Sequence, residues 1–160
     1  MSKIEQMPDK KYIFGGLIML ANKIDTLMER ELKEFGVTSK QWFLSIVLDN
    51  LFDQPPTLKE VALEMGSSHQ NVKQVALKLQ DKKLLQLVKD KKDARVTRLI
   101  LTEESTQFWR KTDLKGAQFT EVLYKDIQEE DIKSTAIVFK KMMKNLMLME
   151  NDSREGENEI

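Results

Sequence analysis

Between Ser68 and Lys78 the chain places Ser68, His69, Gln70, Asn71, Lys73, Gln74 and Lys78 at spacings that one helix can display outward, each with a polar group to offer. Amide and imidazole groups match the donors and acceptors of base edges, while ammonium groups match phosphate oxygens. Lys82 and Lys83 at the far end suit the phosphate backbone. A second polar group follows, with Lys89, Lys91, Lys92, Arg95 and Arg98 crowded around a short turn. A guanidinium at the tip of such a turn is drawn to the negative potential of a narrow minor groove, which makes Arg95 the expected minor-groove residue. Asp93 is expected to support it, pinning Arg95 or the turn by a charge-assisted hydrogen bond. The chemistry is that of double-stranded DNA binding.

The charge distribution agrees. Lys and Arg number 26 and Asp and Glu number 26, so the chain as a whole is neutral. From Ser67 to Arg98, however, nine basic residues (Lys73, Lys78, Lys82, Lys83, Lys89, Lys91, Lys92, Arg95, Arg98) face three acidic ones (Asp81, Asp90, Asp93), a local excess of +6. The tail from Glu150 is acidic. Segregated charge of this kind marks a surface for a polyanion.

Such residues work only if something fixes their pose. Val72, Val75, Ala76 and Leu79 recur on the opposite side of the same helix and supply its buried face. Ser67 or Ser68 caps its start, and it runs to about Lys83. A shorter helix precedes it, opened by the capping box Thr57-Leu-Lys-Glu60 and stopped at Gly66. After it, 85–89 and 97–101 are rich in β-branched and large apolar residues and read as a hairpin around the basic turn. Upstream, apolar stripes from Ile13 to Phe35 predict a long helix over 11–35 that Gly36 terminates, with close backbone packing expected at Gly15 and Gly16. Thr38-Ser-Lys-Gln41 opens another helix to about Leu51, where Trp42, Phe43, Ile46, Val47 and Leu48 are expected to be mostly core; Pro55 and Pro56 lie beyond its end. Two helices, about 103–126 and 129–149, complete the chain. The expected fold is mainly α with a small antiparallel β-hairpin wing.

Other chemistries have little support. The chain has no cysteine, which excludes disulfides, thiol catalysis and thiolate metal sites, and its single histidine, His69, cannot build a multi-histidine zinc site within one subunit. Acidic pairs such as Glu103-Glu104 and Glu129-Glu130-Asp131 fall in helix first turns, where the helix dipole explains them. No phosphate-cradling loop is present, so neither an enzyme nor a cofactor is expected. No apolar run approaches the roughly 20 residues of a membrane span, and no signal-peptide pattern opens the sequence; a soluble, cytoplasmic protein is expected.

The segments Gly36-Val-Thr-Ser-Lys-Gln-Trp42, Leu58-Lys-Glu-Val-Ala62, Asn71-Val72, Leu79, and Asp93-Ala-Arg95 through Leu101-Thr102 together resemble the MarR family of winged helix-turn-helix regulators. The last segment matches that family's D-x-R-x5-L-T pattern, and the resemblance extends over nearly the whole chain. It implies a winged helix-turn-helix at 37–102 and a helical dimerisation domain from 1–36 with 103–150, while the acidic, polar composition of 151–160 predicts a disordered tail. It further implies a homodimer on a pseudo-palindromic operator, a ligand-responsive repressor, and a small aromatic effector in a cavity that Trp42, Phe43 and Trp109 are expected to wall. The chain departs from the family at Gln74 and Leu77, where Arg and Asp are common, and at Lys83, where Gly is common. Those departures motivate an alternative, a winged-helix module that binds another protein and touches DNA only secondarily.

Overall fold

The structure, a computed structural model, describes the backbone of residues 6–157 and the side chains of residues 6–150. By packing the chain forms two compact units, Met1–Phe119 and Thr120–Ile160. The first contains α1 (Asp9–Leu32), α2 (Ser39–Leu51), α3 (Leu58–Glu64), α4 (His69–Asp81), the hairpin β1 (Leu85–Lys89) and β2 (Thr97–Leu101), and most of α5 (Glu103–Leu123). The second is built on α6 (Glu129–Glu157).

Local chemistry sets most boundaries. α1 tightens into a 3₁₀ turn, Lys33–Phe35, before Gly36 ends it at φ 66°. Capping boxes open α2 and α3: Thr38 and Gln41 exchange hydrogen bonds of 3.1 and 3.2 Å, and Thr57 and Glu60 exchange bonds of 2.7 and 3.2 Å. α3 closes with a Schellman motif in which Gly66 N–H donates to the Leu63 carbonyl at 3.1 Å and Ser67 N–H to Ala62 at 2.9 Å. α4 closes the same way, with Lys83 donating to Gln80 at 2.8 Å and Leu84 to Leu79 at 3.0 Å. Here the left-handed residue is Lys83, at φ 61°, a conformation that glycine adopts without Cβ crowding.

The core of the first unit gathers Met28 and Leu32 from α1, Leu44, Val47 and Leu48 from α2, Val61 from α3, Val72, Ala76 and Leu79 from α4, Leu85 and Leu99 from the hairpin, and Trp109 from α5. Polar ties reinforce it. The Ser39 hydroxyl at the start of α2 donates to Asp25 and, at 3.2 Å, to Glu29, both on α1. Lys115 on α5 pairs with Glu34 at 3.0 Å and Glu31 at 3.7 Å.

Three expectations need correction. Phe43 is 45% exposed, because the helical period that buries Leu44, Val47 and Leu48 turns it outward. A Cβ at Gly15 or Gly16 would meet nothing within 4 Å in this chain; the close approach lies instead at Gly116, where a Cβ would stand 2.7 Å from Cζ2 of Trp42. α6 runs to Glu157 rather than ending near 149, in keeping with the helix-forming Glu150, Arg154 and Glu155 and the absence of proline. The acidic tail expected to be disordered is therefore helical as far as Glu157, and its last residues, 158–160, lie outside the described residues.

Two expected outcomes follow from these contacts. Overpacking of about 1–3 kcal/mol should outweigh the ~1 kcal/mol that alanine gains in a helix interior. Gly116→Ala should therefore lower the urea midpoint, and adding the smaller ring of Trp42→Phe should recover most of that loss. Lys83→Gly should raise stability by about 1 kcal/mol by removing the left-handed penalty, read from the same unfolding curves; no gain would mean that Lys83 carries no strain.

Candidate nucleic-acid interface

α4 has two clearly different sides. Val72, Ala76 and Leu79 are buried against the core and Val75 and Leu77 are half-buried, whereas His69, Gln70, Asn71, Lys73, Gln74 and Lys78 are all exposed. A helix held by one apolar side and free on the other can lie in a major groove without unfolding its own packing. Ser68 is exposed as well, but its hydroxyl oxygen is the helix cap, accepting from Asn71 N–H at 3.1 Å. Lys82 and Lys83 are exposed at the opposite end.

The hairpin follows in fixed relation to α4. The Gln80 side-chain carbonyl accepts from Leu87 N–H at 2.8 Å, so the last turn of the helix is bonded to the first wing strand. β1 and β2 pair antiparallel from Leu85 with Leu101 to Lys89 with Thr97. Thr102 then bonds in two directions: its hydroxyl donates to the Lys83 carbonyl at 2.7 Å and accepts from Ser105 N–H at 3.2 Å, joining the turn after α4 to the start of α5. This gives a physical account of the Leu101-Thr102 pair read from the sequence.

At the wing tip the expected pair is brought together. Arg95 donates from its backbone N–H at 3.0 Å and from Nε at 3.2 Å to Asp93 Oδ1, and from Nη2 at 3.4 Å to Oδ2. The Arg95 side chain is nevertheless 92% exposed, so it is aimed but not consumed. Lys91 and Lys92 are exposed beside it. Arg98, grouped with them on sequence grounds, is used differently. Its Nε donates to Asp90 and its Nη1 donates to the Pro55 carbonyl at 2.7 Å, which commits the guanidinium to the fold.

Asp90 is the residue that the sequence reading missed. One of its oxygens accepts from Lys92 N–H at 2.8 Å and Asp93 N–H at 3.1 Å, and the other accepts from Arg98. An aspartate opening a polar turn was a usable signal, since Asp side chains commonly bond the amides two and three residues on. The Arg98 hydrogen bond, followed by those two amides, holds the Asp90 carboxyl down from 3.8 to about 2. Asp93 is lowered too, first by the Arg95 backbone amide and then by its side chain.

Of the three aromatic residues expected to wall an effector cavity, Trp109 alone lines a cleft. Trp109 lines a cleft of about 470 Å³ with Ser45, Ile46, Asp49, Arg110 and Asp113, and burial, with Asp49 nearby, raises the Asp113 carboxyl. Trp42 does not line it, packing instead over Gly116, and neither does Phe43, which faces outward. Among the described residues no group of three or more His, Cys, Asp or Glu could hold a metal, and no helix is long and apolar enough to cross a membrane.

No protein-family model and no curated protein matches the sequence. Solved structures do match. A MarR transcriptional regulator from Methanosarcina mazei aligns over 87% of this chain and 99% of its own, at 16% identity and a TM-score of 0.75. The MepR–DNA complex of S. aureus aligns over 83% of this chain and 97% of that one, at 19% identity and a TM-score of 0.74. CouR of Rhodococcus jostii, bound to p-coumaroyl-CoA, aligns over 82% and 91%, at 11% identity and a TM-score of 0.72. The fold is that of a MarR-type winged helix. In this MarR-type fold α3 and α4 form the helix-turn-helix and β1–β2 the wing.

Acid should loosen the wing. Because the folded value of Asp90 lies below the ordinary one, its stabilisation is fully present above pH 3.8 and is lost as pH falls towards about 2. An NMR titration should give an Asp90 carboxyl midpoint near 2, with the Lys92 and Asp93 amides shifting in step. Asp90→Asn should abolish that coupled step.

Proposed function

We propose that this chain is a non-enzymatic, sequence-specific regulator of transcription that binds double-stranded DNA as a homodimer and represses until a small ligand releases it. The observation that carries the reading is the exposed polar face of α4 on a MarR-type scaffold, with an exposed Arg95 at the wing tip. In this reading Gln70, Asn71 and Gln74 read base edges, with His69 and Ser68 at the helix entry, and Lys73, Lys78, Lys91 and Lys92 meet phosphates. Arg95 enters the minor groove with Asp93 as its support. The structural likeness to a MepR–DNA complex supports a duplex as partner, and the likeness to CouR with p-coumaroyl-CoA supports an aromatic effector.

A second copy accounts for the apolar surface. Ile13, Phe14, Ile18, Leu20 and Leu27 on α1 and Ile137, Phe139, Met143, Leu146 and Met149 on α6 are all more than 40% exposed in the single chain. Exposed apolar residues gathered on a helix, in each unit taken by itself, mark an interaction surface. Within the dimerisation domain proposed for 1–36 and 103–150, these faces close on a partner subunit and set two α4 helices about 34 Å apart, one turn of the duplex.

Neutralising roughly six to eight phosphates per dimer predicts that affinity falls with salt at a log–log slope of about −5 to −7. Gel-shift titration against the upstream intergenic DNA should give that slope, and Arg95→Ala should lower affinity about tenfold while flattening the slope by about one unit per wing. Affinity equal to that on random duplex, with Arg95→Ala silent, would favour the protein-binding alternative instead.

A further inference from the structure

Arg98 sits where two parts of the DNA-reading unit meet. On one side its Nη1 donates to the Pro55 carbonyl at 2.7 Å, its own residue bridges Thr57, and Leu99 N–H donates to the Pro56 carbonyl at 2.9 Å; all three belong to the loop that enters α3. On the other side its Nε donates to Asp90, whose second oxygen receives the Lys92 and Asp93 amides. Asp93 in turn holds Arg95 through three hydrogen bonds. Asp90 N–H to the Val96 carbonyl at 3.0 Å and Val96 N–H to Asp93 at 2.9 Å close the turn between them. The Asp90 side chain is 15% exposed and that of Arg98 37%, so this relay is more sheltered than the Arg95 tip it leads to.

We propose that Arg98 is a positioning residue for the wing and not a DNA contact: through Asp90 it carries the orientation of the loop before α3 to the turn that aims Arg95. The assignment rests on the DNA-binding reading for its consequence, but not for its geometry. A guanidinium is required because one planar group must reach a carboxylate and a carbonyl at once with two differently directed N–H bonds, which an ammonium cannot reproduce.

Charge alone predicts the opposite results, which makes the test decisive. If Arg98 touched phosphate, Arg98→Lys would keep most of the affinity, Asp90→Asn would raise it by removing a negative charge beside DNA, and each would add independently to Arg95→Ala. As a positioning device, Arg98→Lys and Asp90→Asn should each weaken operator binding about tenfold. Arg95→Ala should then cost little more in either background, because the contact is already misplaced. In the free protein the same two variants should speed amide exchange at Lys92 and Asp93 at least tenfold while leaving Leu44 and Leu79 in the core unchanged, so that a general loss of folding is recognised. Unaltered exchange at those two amides, or additive losses with Arg95→Ala, overturns the assignment. If the wild-type protein binds no duplex better than a generic basic protein, the DNA reading falls and the exchange measurement alone decides the clamp.

Discussion

The chain reversal at Lys82–Leu84 joins the parts that must act together. α4 ends there because Lys83 turns left-handed and its amide, with that of Leu84, returns to the carbonyls of Gln80 and Leu79. Leu84 and Leu79 are both buried, so the reversal is also an anchor in the core. From it β1 departs at once, with Gln80 bonded to Leu87, and the Lys83 carbonyl is taken by Thr102 at the start of α5. One turn therefore fixes three directions. Were α4 to run one residue further, every outward side chain of the wing would change face.

This dependence explains what could be read from the sequence. Features set by neighbours in the chain were legible to within a residue or two: both capping boxes, the two strand spans, Gly36 and Gly66 as terminators, and the polar face of α4. Asp93 with Arg95 belongs here too, since the partners are two residues apart. Features set by distant partners were not legible. Arg98 meets Pro55 across 43 positions, and no local pattern separates it from the exposed cations around it. Trp42 over Gly116 is of the same kind, and the small residue that made room for the ring looked like an ordinary helix position. Phe43 shows the reverse error, an apolar residue assumed to be inside because it adjoins others that are.

The charge excess in the wing also has an internal structure. Of the cations gathered there, Arg98 is bonded into the fold and Arg95 is tethered to Asp93, while Lys91 and Lys92 stand exposed. The acids are not a dilution of a basic surface. Asp90 and Asp93 spend their oxygens on backbone amides and guanidinium groups, which converts a flexible polar loop into one with a defined outline. Net charge thus overstates how many groups are free to move towards a polyanion, and understates how well the rest are aimed.

The packing of Trp42 on Gly116 reaches beyond stability. The protein has two tryptophans, one on α2 and one on α5, and the indole nitrogens of both are buried without a hydrogen-bond partner. An indole in such surroundings is starved of the dipolar relaxation that reddens its emission in water. Trp42 on α2 lies against Gly116 of α5, and Trp109 on α5 lines the cleft that also takes in Ser45 and Ile46 of α2. The colour of the protein's own fluorescence is therefore a built-in gauge of how tightly those two helices are closed.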